Sequence, residues 1–139
     1  MSRNEAINLL ALDVGDVRIG VALASYPSYL AQALITLNND QYFIDKLKSL
    51  INEYHITRLV IGLPRNMDSK DTPQTLKVRN FVSQIKSNLQ LEIYLQDEFL
   101  TSKKAEEILN QRSKSYSKED IDKNAASLIL EDYINGNIK

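Results

Sequence analysis

Cysteine is absent from this 139-residue sequence, and histidine occurs once, as His55. Without cysteine there are no disulfides, no thiol catalysis and no zinc–thiolate sites. The single histidine lies between a helix and a strand and reads as a structural surface residue. No apolar run is long enough to span a bilayer. The N-terminal MSRNEAIN carries no apolar signal core, so a cytoplasmic location without a membrane partner is expected. Neither sign of charge dominates. The formal net charge is −1, which neither supports nor excludes nucleic-acid binding, because local patches govern it. No repeat, linker or low-complexity tract interrupts the chain, and a hydrophobic fraction of 43% suits a folded globular protein. Residues 1–139 are expected to form one domain around one core.

Three short runs rich in Val, Ile, Leu and Ala open the sequence: Leu9–Val14, Arg18–Ala24 and Gln32–Leu37. Turn segments with Gly15–Asp16 and Pro27–Ser28 separate them. Such short separations make antiparallel neighbours, since a parallel crossover needs a dozen or more residues. Asp40–Tyr54 then has helical spacing, with Phe43, Leu47, Leu50, Ile51 and Tyr54 on one stripe. Arg58–Leu63 reads as a buried strand and Pro64–Thr72 as a polar loop. Thr72–Pro73 starts a second helix, with a hydroxyl at N-cap and proline at N1. Leu91–Leu95 is a further strand, Thr101–Asn110 a third helix and Arg112–Lys118 a basic connector. Ser117-x-x-Asp120 resembles a capping box for a last helix, Lys118–Asn135. The order βββ-α-β-α-β-α-α predicts an α/β fold. Its five-stranded mixed sheet has three antiparallel strands, then two parallel additions, with helices on both faces.

Asp13 stands inside the apolar run LLALDV, which that sheet buries. A carboxylate there costs several kcal/mol unless a cation, a metal or a dense set of hydrogen bonds compensates it. Two more acids are candidates to share its surroundings. Glu98 falls just beyond the Leu91–Leu95 strand. Asp122 shares a helix face with Ala125, Ala126 and Ile129, bordering the apolar stripe of Ile121, Ala125, Leu128 and Ile129. Converging carboxylates repel unless a cation sits between them. Hard oxygen ligands suit magnesium or manganese, and such ions clamp phosphodiesters and activate water. The bland alternative has Asp13 bonded to nearby backbone or to Arg18, with Glu98 and Asp122 as ordinary solvated charges.

Four blocks then occur in order: LALDVGDVRIGVALA, LVIGLPRNMDSKDTPQTLKVRNF, DEFLTSKKAEEIL and DKNAASLILEDYI. Together, from about Leu9 to Ile134, they closely resemble the YqgF family, also called RuvX. The resemblance implies an RNase H-like fold and a small nuclease that processes the 5′ end of pre-16S rRNA. A Holliday-junction resolvase acting on branched DNA is the alternative it carries. It further implies that Asp13, Glu98 and Asp122 are the catalytic carboxylates and ligands of a divalent metal, Mg2+ or Mn2+. Two positions depart from the family pattern: Phe99 stands where an arginine usually follows the Asp-Glu pair, and Ser69 where a glycine is usual.

For nucleic acid, the candidate contacts are Arg18, Arg65, Asn66, Lys103 and Lys114. Arg18 pairs structurally with a carboxylate or touches phosphate. Arg65 and Asn66 lie beyond the C-terminal end of a buried strand, where ligands of open α/β sheets sit. Lys103, Lys104, Arg112, Lys114 and Lys118 surround Tyr116 in a locally basic stretch that attracts phosphate. Gly15 and Gly20 would permit a tight turn and close backbone approach near phosphate, or simply shape a hairpin. Two other classes stay open. Asp13-Val14-Gly15 with Gly20 also resembles the phosphate loop of the actin and sugar-kinase superfamily, whose members enclose ATP between two domains. A non-catalytic nucleic-acid-binding factor on the same fold is the other. Monomer and homodimer are both compatible with the sequence.

Overall fold

The structure is a computed structural model that describes residues 6–65, 70–98 and 118–138. Its elements run β1 (Asn8–Val14), β2 (Arg18–Ser25), β3 (Gln32–Asn38), α1 (Phe43–Glu53), β4 (Arg58–Pro64), α2 (Pro73–Asn88), β5 (Glu92–Glu98) and α3 (Lys118–Asn137). The helix expected over Thr101–Asn110 falls outside the described residues. So do Asn66, Ser69, Phe99, Lys103, Lys114 and Tyr116.

The strands form one sheet in the order β3-β2-β1-β4-β5. β1 pairs antiparallel with β2, and β2 with β3. β4 adds parallel to β1, and β5 parallel to β4. This is the mixed sheet expected from loop lengths alone, with β1 at its centre. The side chains of β1 divide between two cores. Leu10 and Leu12 join Ile19, Val21, Leu59 and Ile61 under α1 and α2, where Phe43 meets Phe81 with ring centroids 5.6 Å apart. Leu9 and Ala11 point the other way, to Ala22, Ala24, Val60 and α3. Each fully buried Leu or Ile in these cores contributes roughly 2 kcal/mol.

A strand end and a helix face differ from expectation for identifiable reasons. β5 continues past Leu95 to Glu98 because β4 keeps pairing with it as far as Pro64↔Glu98. Glu98 is thus the last residue of a strand, not part of a loop. α3 buries Ala125, Ala126, Ile129, Leu130, Tyr133 and Ile134, whereas Leu128 is only partly covered. The helix is rolled so that its alanines lie against the small residues of β1 and β2. Thr72 caps α2 through a reciprocal box with Thr75. The buried Thr75 hydroxyl also donates to the Pro64 carbonyl, hooking the start of α2 to the end of β4.

Candidate active site

Asp13 is the next residue to last of β1 and pairs in register with Gly20 of β2. By strand alternation it shares the α3 face with Leu9 and Ala11. The parallel register carries that face across β4 at Gly62 to β5, where Gln96 pairs with Gly62 and Glu98 follows two residues on. The two carboxyls therefore meet over a residue without a side chain. A Cβ on Gly62 would lie 2.7 Å from Glu98 Oε2 and 2.5 Å from Ile129 Cδ1. The sequence places Gly62 inside the Arg58–Leu63 strand and gives it no role at the site. The signal available was a glycine interrupting an otherwise apolar strand.

The Asp13 and Glu98 carboxyl groups lie close enough to act on each other's titration and to share a proton. Loss of water raises the Glu98 pKa first, and the Asp13 charge and hydrogen bond raise it further, to about 8. Asp13 is also raised mainly by burial and then by the charge of Asp122, while the hydrogen bond from Glu98 opposes both; it reaches about 6. Both shifts run upward, so near neutral pH the pair retains a proton that two exposed carboxyls would have lost. Both residues keep some solvent exposure at the rim, yet Glu98 Oε2 is wholly buried and has no hydrogen-bond partner. An acceptor oxygen in that state is costly, and it suits a cation ligand.

Asp122 reaches the same face from the first turns of α3, close enough for its charge to act on Asp13. Its own carboxylate is turned to Arg18, whose Nε lies 2.8 Å from Oδ2. The sequence left open whether Arg18 neutralises Asp13; its partner is Asp122. Among the described residues, no three His, Cys, Asp or Glu side chains converge as a ready-made metal cluster. What the structure brings together is the Asp13–Glu98 pair, with Asp122 beside it in an ion pair. Gly20 makes the approach of α3 possible. A Cβ there would stand 2.0 Å from the Asp122 carbonyl oxygen and 2.9 Å from Lys123 N. The close approach expected at Gly20 is thus to a helix backbone. Gly15 serves the β1–β2 turn, its N–H donating to the Arg18 carbonyl at 2.9 Å.

Arg65 is not a free cation. Its guanidinium lies 3.2 Å from Asp71 Oδ1 and 3.5 Å from Asp97 Oδ2, and Arg79 pairs with Asp71 at 3.3 Å. These pairs close the base of the loop after β4, and Arg65 N contacts the Glu98 carbonyl at 3.5 Å. Lys77 pairs with Asp16 at 3.3 Å on exposed surface. A hollow of about 740 Å³ lies at the far end of the sheet between α1 and the His55–Thr57 turn, and no acid lines it among the described residues. A smaller one of about 270 Å³ lies on the α2 side, between the β1–β2 turn and the amides of Gln74, Asn80 and Gln84.

Residues 7–136 match the family described as "RuvX: Holliday junction resolvase". The chain belongs to the RuvX family. RuvX relatives include proteins named "Putative pre-16S rRNA nuclease" from Thermoanaerobacter pseudethanolicus and Pediococcus pentosaceus. The first is 38% identical over 133 residues, covering 92% of this chain and 96% of the relative. The second is 36% identical over 140 residues, covering 96% of each. Among solved structures, Thermus thermophilus RuvC in complex with a Holliday junction substrate aligns with a TM-score of 0.56 at 10% identity, over 94% of this chain and 96% of that one. A Fowlpox virus resolvase with Holliday junction DNA aligns at 0.55 and 12% identity, over 96% and 100%. Likeness at such low identity establishes the RNase H-like fold.

Proposed function

We propose that this RuvX-family chain is a divalent-cation-dependent nuclease that hydrolyses phosphodiester bonds in 5′-end processing of pre-16S rRNA. One observation carries the reading: a buried Asp13–Glu98 carboxyl pair at the rim of the sheet, with Glu98 Oε2 orphaned. Two acids held together against burial and mutual repulsion suit a hard cation better than any group among the described residues. Asp13 and Glu98 would hold it, with Asp122 completing the set from α3. When bound, such a cation neutralises charge at the phosphoryl oxygens and makes water acidic enough to attack near neutral pH. Asp13, held on the central strand, anchors the site. The pair must release its retained proton before both carboxyls can serve as ligands. Gly20 and Gly62 fix how close Asp122 and Glu98 come. The rRNA substrate rests on the names of the relatives at 34–38% identity.

Branched DNA is the second reading, favoured by the family description and by the resolvases that share the fold. The test incubates the protein with a pre-16S rRNA 5′ leader and with a four-way DNA junction, each with Mg2+ or Mn2+. The leader is expected to be cut, leaving a 5′-phosphate and a 3′-hydroxyl, and the junction to remain intact. Cleavage of the junction alone would transfer the function to the second reading. Binding of either substrate without cleavage would make the chain a non-catalytic factor.

A further inference from the structure

Arg18 is fixed at its backbone and free at its tip. Its carbonyl accepts from Gly15 N at 2.9 Å, and the turn before it is held by Asn39, whose Nδ2 donates to the Gly15 carbonyl at 2.7 Å. Its side chain is 30% exposed and spends Nε on Asp122 Oδ2 at 2.8 Å. Among the described residues the two Nη groups have no partner. A guanidinium has five N–H donors in a planar fork, so a side-on contact through Nε leaves most of that capacity unused.

Asp122 meanwhile lies close enough to Asp13 to raise its pKa, yet its carboxylate is engaged by the arginine instead of joining the Asp13–Glu98 pair. We propose that Arg18 is an exchangeable counter-ion: it occupies Asp122 in the cation-free protein, yields it when a divalent cation binds, and turns its freed fork to a phosphate of the nucleic acid. The inference rests on the cation-dependent reading of the site above. Its physical basis is competition. One carboxylate cannot satisfy a guanidinium and a hard cation equally, and a fixed positive charge beside the site repels the ion. The pair is weak enough to be exchanged, since a partly exposed ion pair of this kind contributes little net stability. Phosphate gives the displaced fork a bidentate partner that suits its geometry.

Arg18 therefore has opposite effects on the two ligands. Calorimetric titration with Mn2+ alone should show Arg18→Met binding the cation about two- to fivefold more tightly than the wild type. In an Asp122→Asn background the same change should have a clearly smaller effect, because only through-space repulsion is left and there is no carboxylate to compete for. With Ca2+ present, binding of a pre-16S leader RNA should weaken in Arg18→Met, and the salt dependence should flatten by about one phosphate contact. Arg18→Lys, which keeps the charge, should stay near the wild type for Mn2+. If the methionine variant does not fold, Arg18→Gln replaces it with the same expected directions. Unchanged or weaker Mn2+ binding by a folded variant overturns the proposal, as does equal tightening in the Asp122→Asn background. A purely structural arginine would lower stability without tightening the ion. If the wild type binds no Mn2+, or Asp13→Asn binds it equally well, the cation reading itself has failed.

Discussion

Asp13→Asn is expected to lower phosphodiester cleavage by about 10³-fold or more while making the cation-free protein more stable. The two effects come from the same burial. Asp13 faces α3 from the central strand, and loss of water is the largest influence raising its pKa to about 6. Above that pH the folded protein holds a charge it would rather shed. Asparagine keeps the shape, removes the charge and offers an amide donor to Glu98. The stability gain at pH 8 should be about 1–3 kcal/mol, since each unit of pKa shift corresponds to about 1.4 kcal/mol. Rates on the leader RNA and urea melts at pH 8 check both halves. Loss of activity with loss of stability would make Asp13 a structural residue. Gain of stability with loss of activity is the mark of a site held against the preferences of the fold.

Gly20→Ala should be among the most disruptive small changes in the chain. The added Cβ would lie 2.0 Å from the Asp122 carbonyl oxygen and 2.4 Å from its carbon. Those are helix backbone atoms, which cannot rotate away. Either α3 lifts off the sheet or β2 bends, and the face made by Ala11, Ala22, Ala126 and Ile129 loses its contact. Overpacking of this kind costs about 3 kcal/mol, or roughly 10 °C in melting temperature at this chain length. Asp122 moves with the helix, so cation binding should weaken too. Thermal melts and Mn2+ titration of the variant measure both. At Gly62 an added Cβ meets side-chain ends, Glu98 Oε2 and Ile129 Cδ1. Alanine there should therefore displace Glu98 with less damage to stability.

The sheet was legible because local signals agreed. Short turns forced β1–β2–β3 into a meander, and helical spacers forced β4 and β5 into parallel additions. The unalternating LLALDV marked the central strand, since both of its faces are covered. Asp13 and Asp122 could be picked out because each breaks or borders an apolar pattern. Glu98 was harder: LQDE does not alternate cleanly, and its place depends on β4 holding the register to the end. Partnership was not legible at all. No spacing says that Arg18 chooses Asp122, or that Glu98 shares its proton with Asp13. Those follow from which strand ends lie side by side and how closely α3 settles on Gly20. Arg65 looked available for phosphate because its partners, Asp71 and Asp97, come from a later loop and another strand.

The carboxyl pair is tested most directly by melting the wild type and Asp13→Asn at pH 5 and pH 8.5, with and without Mn2+. In the wild type both carboxyls titrate higher folded than unfolded, up to about 8 for Glu98. The folded chain therefore holds extra protons from the ordinary carboxylate range up to that value. Their contribution to stability is complete at low pH and is lost as pH rises through the folded values. Relative to Asp13→Asn, the cation-free wild type should lose stability between pH 5 and pH 8.5. Mn2+ should restore it at pH 8.5, where the protons are gone, and do little at pH 5, where they hold the ligand oxygens. Asp13→Asn should gain little from Mn2+ at either pH. An equal gain from Mn2+ in the variant and the wild type at pH 8.5 would contradict the claim that Asp13 and Glu98 form the cation site.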